Sequence, residues 1–529
     1  GVNAIELMPV NEFEGNISWG YNPNFHMALD KYYGPINDMK RFVDECHGRG
    51  IAVVLDVVYN HLFSTSPLCR LYWDEQAFKP TPDNPWINPD PRHDFNVGYD
   101  INHESPATRY YLDRVMRYWI EEFRVDGYRF DLSKGFTQNE NGPFHAGDYD
   151  ASRIAIIKHY ADAIWALNPD FYMILEHFTA NTEETELTTY GNGMMVWGGF
   201  NPHNQFLEGA MGFFSDFNSA SYTSRGWTDA RLIPYIESHD EERLVYKTNN
   251  FGNSSGEYQI SELLTGLRRS ELTHVFFLAM PGPKMIWQFG ELGYDYSINY
   301  CPNATIDNDC RTDPKPIRWD YEDSPNRQRL FDVVSAMIYL KTEYDVFNTT
   351  DFNMTLSAFN KRIQLNGDDM DVAVVGNFNV TPAALGSPFQ HDGWWYEYFT
   401  GDSLLVEDPT AALDLLPGEY RLYTTVRLSE PPGGYISATR ELVTDAFGLQ
   451  LTPNPASDWL VVDYRLAAPE TVDVQLYDLF GRPVRALFTG RQGVGAQRIT
   501  ATLEGLPAGM YLVQVRAAGQ VQTRRLLVQ

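Results

Sequence analysis

Three shortages in this sequence each close off a class of function. Cysteine occurs four times in 529 residues, at Cys46, Cys69, Cys301 and Cys310. That is too few for a disulfide framework, and the C-x-x-C pairing of a structural zinc site is missing. Cys301 and Cys310 can bridge one loop, whereas Cys46 and Cys69 read equally well as small buried apolar residues. Basic residues are outnumbered, 41 against 70 acidic, for a net charge of −29. A nucleic-acid backbone or an anionic membrane surface is repelled over most of such a molecule, so a neutral or cationic ligand fits better and nucleic acid is not an expected partner. Long apolar runs are also missing. The longest are short stretches such as residues 275–280, well below the ~18 residues that span a bilayer, so no transmembrane segment is expected.

What remains is a composition that folds, 43% hydrophobic and 14% aromatic, long enough for two to four domains. The first half repeats a short apolar run, a polar loop and a helix-period segment, the pattern of a parallel sheet with crossover helices. Seven strands are expected, over residues 4–9, 52–58, 127–131, 171–176, 194–197, 232–238 and 284–288. Helices are expected over 37–49, where Met39, Phe42, Val43 and Cys46 have helical spacing before Gly50, and over 106–123. The fold class is α/β, a (β/α)8 barrel. It needs eight strands, and the chain opens directly on one at Gly1 without an initiator Met, so the first strand is expected to precede Gly1. From Leu356 the pattern changes to alternating strands with Gly, Asn and Asp turns, an all-β sandwich. After a Pro/Gly linker (SEPPGG from Ser429), residues 446–529 hold eight Arg, no Lys and six acidic residues. Their net charge is +2, which leaves −31 to residues 1–445 and marks an independently composed small β-sandwich module. The expected domains are thus 1–350 (barrel, with a loop subdomain at about 62–105), 351–428 (all-β), 429–445 (linker) and 446–529.

In a barrel of this kind the chemistry lies at the C-terminal ends of the strands. Four segments end there in polar clusters: Asp56 with Asn60 and His61; Arg129, Asp131 and Lys134; Glu176 with His177; and Glu237 with His239 and Asp240. A carboxylate emerging from an apolar strand is costly to bury unpaired. Function is one explanation for Asp131 and Glu176, and a structural ion pair with Arg129 is the other, since Arg129 and Asp131 share a face. Several carboxylates converging at one mouth suit glycoside hydrolysis, in which one protonates the leaving oxygen and another captures the oxocarbenium-like centre.

In order and spacing the four segments resemble the four signature regions of the α-amylase superfamily, glycoside hydrolase family 13. Residues 1–10 (GVNAIELMPV) resemble the family's second barrel strand, residues 19–23 (WGYNP) its subsite-tyrosine segment, and residues 282–291 its eighth strand, so the likeness covers roughly 1–428. It implies Asp131 as nucleophile, Glu176 as general acid/base and Asp240 as the third carboxylate, which binds sugar hydroxyls. Arg129 is then expected to hold Asp131 ionised, and apolar surroundings to raise Glu176. His61, His239 and Tyr21 match the sugar-binding groups of the subsite before the cleaved bond, and Lys134 a lysine of the next. Asp56 reads as a structural partner. Trp19, Tyr21, Trp73, Trp86 and Trp197 are candidates for stacking on sugars, or core. Asn60 matches a position that binds calcium in many members, but no set of six or more oxygens can be read from the loop over 62–102, so calcium is possible without assignable ligands, no metal residues are named and no cofactor is required.

Residues 446–529 resemble the C-terminal sorting domain of the type IX secretion system, through LTPNPAS from Leu451, VQLYDLFGR from Val474, GLPAGMYL from Gly505 and a basic end. A carbohydrate-binding or fibronectin-like sandwich is the alternative. The resemblance implies the type IX machinery as a partner and a secreted or cell-surface location. The leading expectation is a retaining hydrolase acting on α-glucan polysaccharides. The separation of 45 residues between Asp131 and Glu176 and the wording GYRFDLSK look like branching enzymes, which makes branching or transglycosylation the alternative. Export argues for hydrolysis, because polymer met outside the cell is degraded for food. A surface glucan-binding protein on an inactive barrel would require a lost carboxylate.

Overall fold

The computed structural model describes residues 1–140, 144–435, 447–477, 483–517 and 520–528. Six strands, β1 (Ala4–Leu7), β2 (Ala52–Val57), β3 (Gly127–Phe130), β4 (Tyr172–Leu175), β5 (Met195–Trp197) and β6 (Leu232–Ile233), pair in that order and all in parallel. Their apolar runs are nearly continuous because a parallel sheet is covered on both faces. Helices α1 (Ile36–His47), α2 (Pro106–Phe123), α3 (Ala151–Trp165), α4 (Asn181–Thr188) and α5 (Phe200–Ala210) make the successive crossovers. This curled parallel sheet is the (β/α)8 barrel architecture expected from the repeat.

Local chemistry sets the helix ends. In α1 the buried face is Met39, Val43 and Cys46, as the spacing predicts, but the helix stops at His47, and Gly50, at φ 71°, makes the turn into β2 instead of the cap. In α2, Pro106 opens the first turn, Ser105 accepts from the Ala107 N–H, and Leu112, Val115, Met116, Trp119 and Phe123 face the core. Five of the predicted strands are one or two residues shorter than expected, and two fall further short. The run over 232–238 is a continuous strand only to Ile233, since Pro234 has no N–H to donate, and Tyr235 adds one isolated bridge. The run over 284–288 forms a single parallel bridge, Met285 to Tyr235, after Pro281 and Pro283.

Beyond α6 (Leu244–Phe251), α7 (Leu263–Ala279) and α8 (Pro325–Glu343) lies an antiparallel sheet of β7 (Phe352–Thr355), β8 (Asn360–Leu365), β9 (Val372–Asn377), β10 (Gly393–Glu397), β11 (Ser403–Val406) and β12 (Tyr420–Thr424), in the order β7-β8-β9-β12-β10-β11. One hydrophobic core joins it to the barrel helices, with Leu272, Phe276, Leu330 and Val334 among Ile363, Val374 and Leu422. Two buried cations bind both parts. Arg269 donates to the carbonyls of Gly209 and Ala210 on one side and of Asn377 and Phe378 on the other. Lys361 donates to those of Ser215, Leu356 and Ala358.

The last segment forms a three-stranded and a four-stranded antiparallel sheet around its own core, which includes Leu460, Val462, Val472, Val474, Val513 and Val515. Residues 436–445 of the expected linker and 478–482 of the VQLYDLFGR run lie outside the described residues. Among the described residues, no helix is long and apolar enough to cross a membrane.

Candidate active site

Strand register assembles the site. Asp56 pairs with Arg129, and Arg129 with Ile174, across β2, β3 and β4. One step further along, Asp131 N–H donates to Val57 O at 3.0 Å and Glu176 N–H to Phe130 O at 3.1 Å, so both carboxylates leave the sheet at the same level. Arg129 lies fully buried between them. Its Nη1 donates to both Asp56 oxygens at 3.0 and 2.9 Å and to Asp131 Oδ1 at 3.1 Å, and its Nη2 is 3.1 Å from Glu176 Oε2. Trp197 covers its flat face at 4.0 Å. Glu176 Oε2 also accepts from the Leu132 N–H at 2.7 Å. Leu132 is held at φ 44°, a costly conformation for a branched residue, which aims that N–H at the carboxylate.

One guanidinium thus serves three carboxylates. Burial, and then the charge of Glu176, push Asp131 well above the usual carboxylate range, and Arg129 does not outweigh them. Arg129 does act to lower Asp131, but the expectation that it holds Asp131 ionised is corrected, because burial and Glu176 outweigh it. Burial likewise raises Asp56.

A second cluster continues the first. Tyr21 Oη donates to Asp56 Oδ2 at 2.6 Å, and its ring stacks on His239 at 4.9 Å. His239 Nε2 is 3.2 Å from Asp240 Oδ2, and Arg311 Nη2 is 3.0 Å from Asp240 Oδ1. Although burial opposes it, the His239 ring and the Arg311 guanidinium hold Asp240 well below the usual carboxylate range.

A family model of the alpha amylase catalytic domain matches residues 1–94 and 86–331, and one of a secretion system C-terminal sorting domain matches residues 450–529. The chain belongs to the alpha-amylase family. Among its relatives, a 1,4-alpha-glucan branching enzyme of Geobacillus stearothermophilus is 25% identical over 443 residues, 74% of this chain and 65% of that enzyme. Another from Aliivibrio fischeri is 31% identical over 191 residues, 34% of this chain and 26% of the enzyme. A malto-oligosyltrehalose trehalohydrolase of Arthrobacter ramosus is 37% identical over 138 residues, 25% of this chain and 21% of that protein. The chain therefore spans less than two thirds of the length of each of these relatives. The solved alpha-amylase of Geobacillus thermoleovorans, complexed with acarbose, shares the fold, with a TM-score of 0.62 at 16% identity over 81% of this chain and 89% of that one.

Within this candidate site the remaining expected residues take different positions. His61 is buried behind Tyr21, its Nε2 donating to Tyr21 O at 2.8 Å and its Nδ1 3.3 Å from Asn60 Nδ2. Burial holds it down to about 4, so it braces the tyrosine segment as a neutral ring. Lys134 is half-buried with Nζ 4.0 Å over the Phe95 ring, and burial lowers it. Of the candidate stacking aromatics, Trp19 meets His239 edge-on at 5.7 Å. Trp73 and Trp86 are partly buried against the small core of Leu62, Cys69, Ile87 and Ile101, and Trp197 covers Arg129.

Three features escaped the sequence reading. Glu6 on β1 shares the inward face of Val54 and Asp56, and burial together with Asp56 pushes it up to about 8. The signal was present, a carboxylate inside the apolar run over 4–9. Arg311 gave none, because its partner is 71 residues away. The third is a buried brace behind β4. His177 Nε2 is 2.7 Å from Glu183 Oε1, and Arg153 grips Glu183 through Nε and Nη2 at 2.7 Å each. Arg153 Nη1 also donates to Lys134 O at 3.0 Å.

For calcium, Asn60 Oδ1 and Asp100 Oδ1 are buried without hydrogen-bond partners, and His93 Nε2 is 3.5 Å from that Asp100 oxygen. Two side-chain oxygens and an imidazole fall short of the six to eight oxygens calcium takes. Among the described residues, no group of three or more His, Cys, Asp or Glu could hold a metal.

Proposed function

We propose that this chain is a retaining α-glucan-active glycoside hydrolase of the α-amylase type. Asp131 attacks the anomeric carbon while Glu176 gives its proton to the leaving glycosidic oxygen. Glu176 then takes a proton from water, which displaces Asp131 from the covalent glycosyl intermediate. Asp240 binds the sugar hydroxyls, Arg129 orients both reacting carboxylates, and Tyr21, His61, His239 and Lys134 shape the sugar subsites. No cofactor enters any step. The observation that carries this reading is the convergence of Asp131 and Glu176 on one buried guanidinium. Asp131 has to be ionised to attack, and Arg129 is the cation that favours that form against burial and the neighbouring carboxylates.

Glucan branching is the second reading, favoured by the branching enzymes among the relatives. A non-catalytic glucan-binding protein is disfavoured because all three carboxylates are present. The proposed domain division is the one read from the sequence, with residues 1–350 forming the catalytic barrel. The sorting domain implies export, and we assign secreted or cell-surface placement through the type IX machinery to it.

The test is product analysis on soluble starch and amylose, following reducing ends, the iodine spectrum and α-1,6 linkages by proton NMR. Hydrolysis gives reducing ends in step with iodine loss, whereas branching gives new α-1,6 signals with few reducing ends. Asp131→Asn is expected to abolish turnover while leaving glucan binding. Near-normal rates in that variant would sink the nucleophile assignment.

A further inference from the structure

The segment between α7 and α8 that faces the site is closed by the Cys301–Cys310 disulfide. The loop is tied at both ends. At its entry, Ser297 Oγ and the Ile298 N–H donate to Glu242 at 2.6 and 2.9 Å, two residues beyond Asp240. At its exit, Lys315 Nζ donates to the carbonyls of Cys310, Arg311 and Asp313 at 2.7, 3.2 and 2.8 Å. Within it, Cys301 N–H donates to Thr305 O at 2.8 Å and Asp307 N–H to Asn299 O at 3.0 Å.

The residue next to the second cysteine is Arg311. Its Nη2 donates to the backbone oxygen of Asp240 at 2.5 Å and to Asp240 Oδ1 at 3.0 Å. The other carboxylate oxygen faces His239. Asp240 is thereby gripped from two sides, by a ring on its own segment and by a cation delivered from a separate loop. A long side chain at 44% exposure loses much of an ion pair's value to rotamer freedom and solvent. Fixing the backbone beside it with a covalent bridge and three carbonyl contacts removes part of that cost.

We propose that Arg311 is a positioning residue for the reaction, presented by the disulfide-closed loop to hold the carboxylate of Asp240 in its sugar-binding orientation. The proposal rests on the reading of Asp240 as the third carboxylate. It also makes the disulfide a determinant of rate through Arg311. The ionisable groups that face Asp240 are His239 and Glu241 on its own segment, Asp131 at the end of β3, and Arg311 itself. Of these, Arg311 is the only permanent cation.

The test measures kcat and KM on soluble starch across pH 4 to 9 for the full chain, for Arg311→Ala, Arg311→Lys, Cys301→Ser/Cys310→Ser, and the triple variant that adds Arg311→Ala. Thermal unfolding confirms that each is folded. Arg311→Ala is expected to lower kcat/KM ~10–100-fold, as misplacement of a reacting-site group does. Its acid limb should move to higher pH, because Asp240 then protonates more readily, and Arg311→Lys should recover part of both. The cysteine pair variant should lose activity in the same direction, and Arg311→Ala should add little to it. Arg311→Ala within twofold of the parent overturns the proposal. So does a loss with an unmoved acid limb and no recovery by Lys, which would make Arg311 merely structural. Asp240→Asn is run beside them: near-normal rates there overturn the reading as well, whereas its loss alongside an unchanged Arg311→Ala overturns the proposal alone.

Discussion

Arg129 is the residue on which the first cluster turns, and Asp56 is what lets it stay buried. Asp56 is 2% exposed and accepts from both Arg129 and Tyr21. Removing one partner of a buried pair leaves an uncompensated charge, so Asp56→Ala is expected to destabilise by ~3 kcal/mol or more, read as a lower urea midpoint with an unchanged slope. Asp131 and Glu176 were legible in the sequence because a carboxylate ending an apolar strand is costly, and Arg129 because it shares a face with Asp131. Glu6 carried the same signal without belonging to a signature segment. Arg311 was illegible in principle, since its position depends on a bridge and two anchor points that no local pattern encodes. The charge states were also beyond pattern: Arg129 beside Asp131 suggests a lowered carboxyl, but two further carboxylates crowd the same cation.

At the scale of elements, the loop after β4 is held from behind. Arg153 on α3 spends its donors on Glu183 of α4 and on the carbonyls of Lys134, Ala146 and Asp148. Burial keeps the His177 ring, next to Glu176, below its ordinary value. Glu183→Gln removes the charge that satisfies Arg153, and is expected to cost ~3–5 kcal/mol and to lower kcat with Glu176, while KM changes less. Thermal unfolding and steady-state kinetics check the two halves. The strands were legible where their apolar runs were unbroken. They were overestimated over 232–238, where Pro234 removes a donor that periodicity does not count, and over 284–288, which forms a single bridge.

Across the whole molecule, ionisation sets the pH range of stability. Burial holds His26, His61, His203 and His274 down to about 4 and His103 to about 3. The unfolded chain takes up these protons first, so their stabilisation is complete above the ordinary value of 6.5 and is lost as pH falls toward 4. Glu6 and Glu237 run the other way. Raised to about 8 and about 7, chiefly by burial, they stabilise at low pH and lose that contribution as pH rises through those values. Tm is expected to peak between about pH 6 and 7, and Glu6→Gln should flatten its alkaline side; scanning calorimetry at several pH values checks both. The barrel and the sheet beyond it were legible as separate patterns, but their union was not, because no local pattern marks Arg269 and Lys361 as buried between them. Those two side chains bind carbonyls on both sides of a shared core, so neither part has a complete interior by itself. A single proteolytic nick between Glu343 and Phe352 would consequently sever the chain without separating the molecule: the two fragments should elute as one species from a sizing column and part only in denaturing gel.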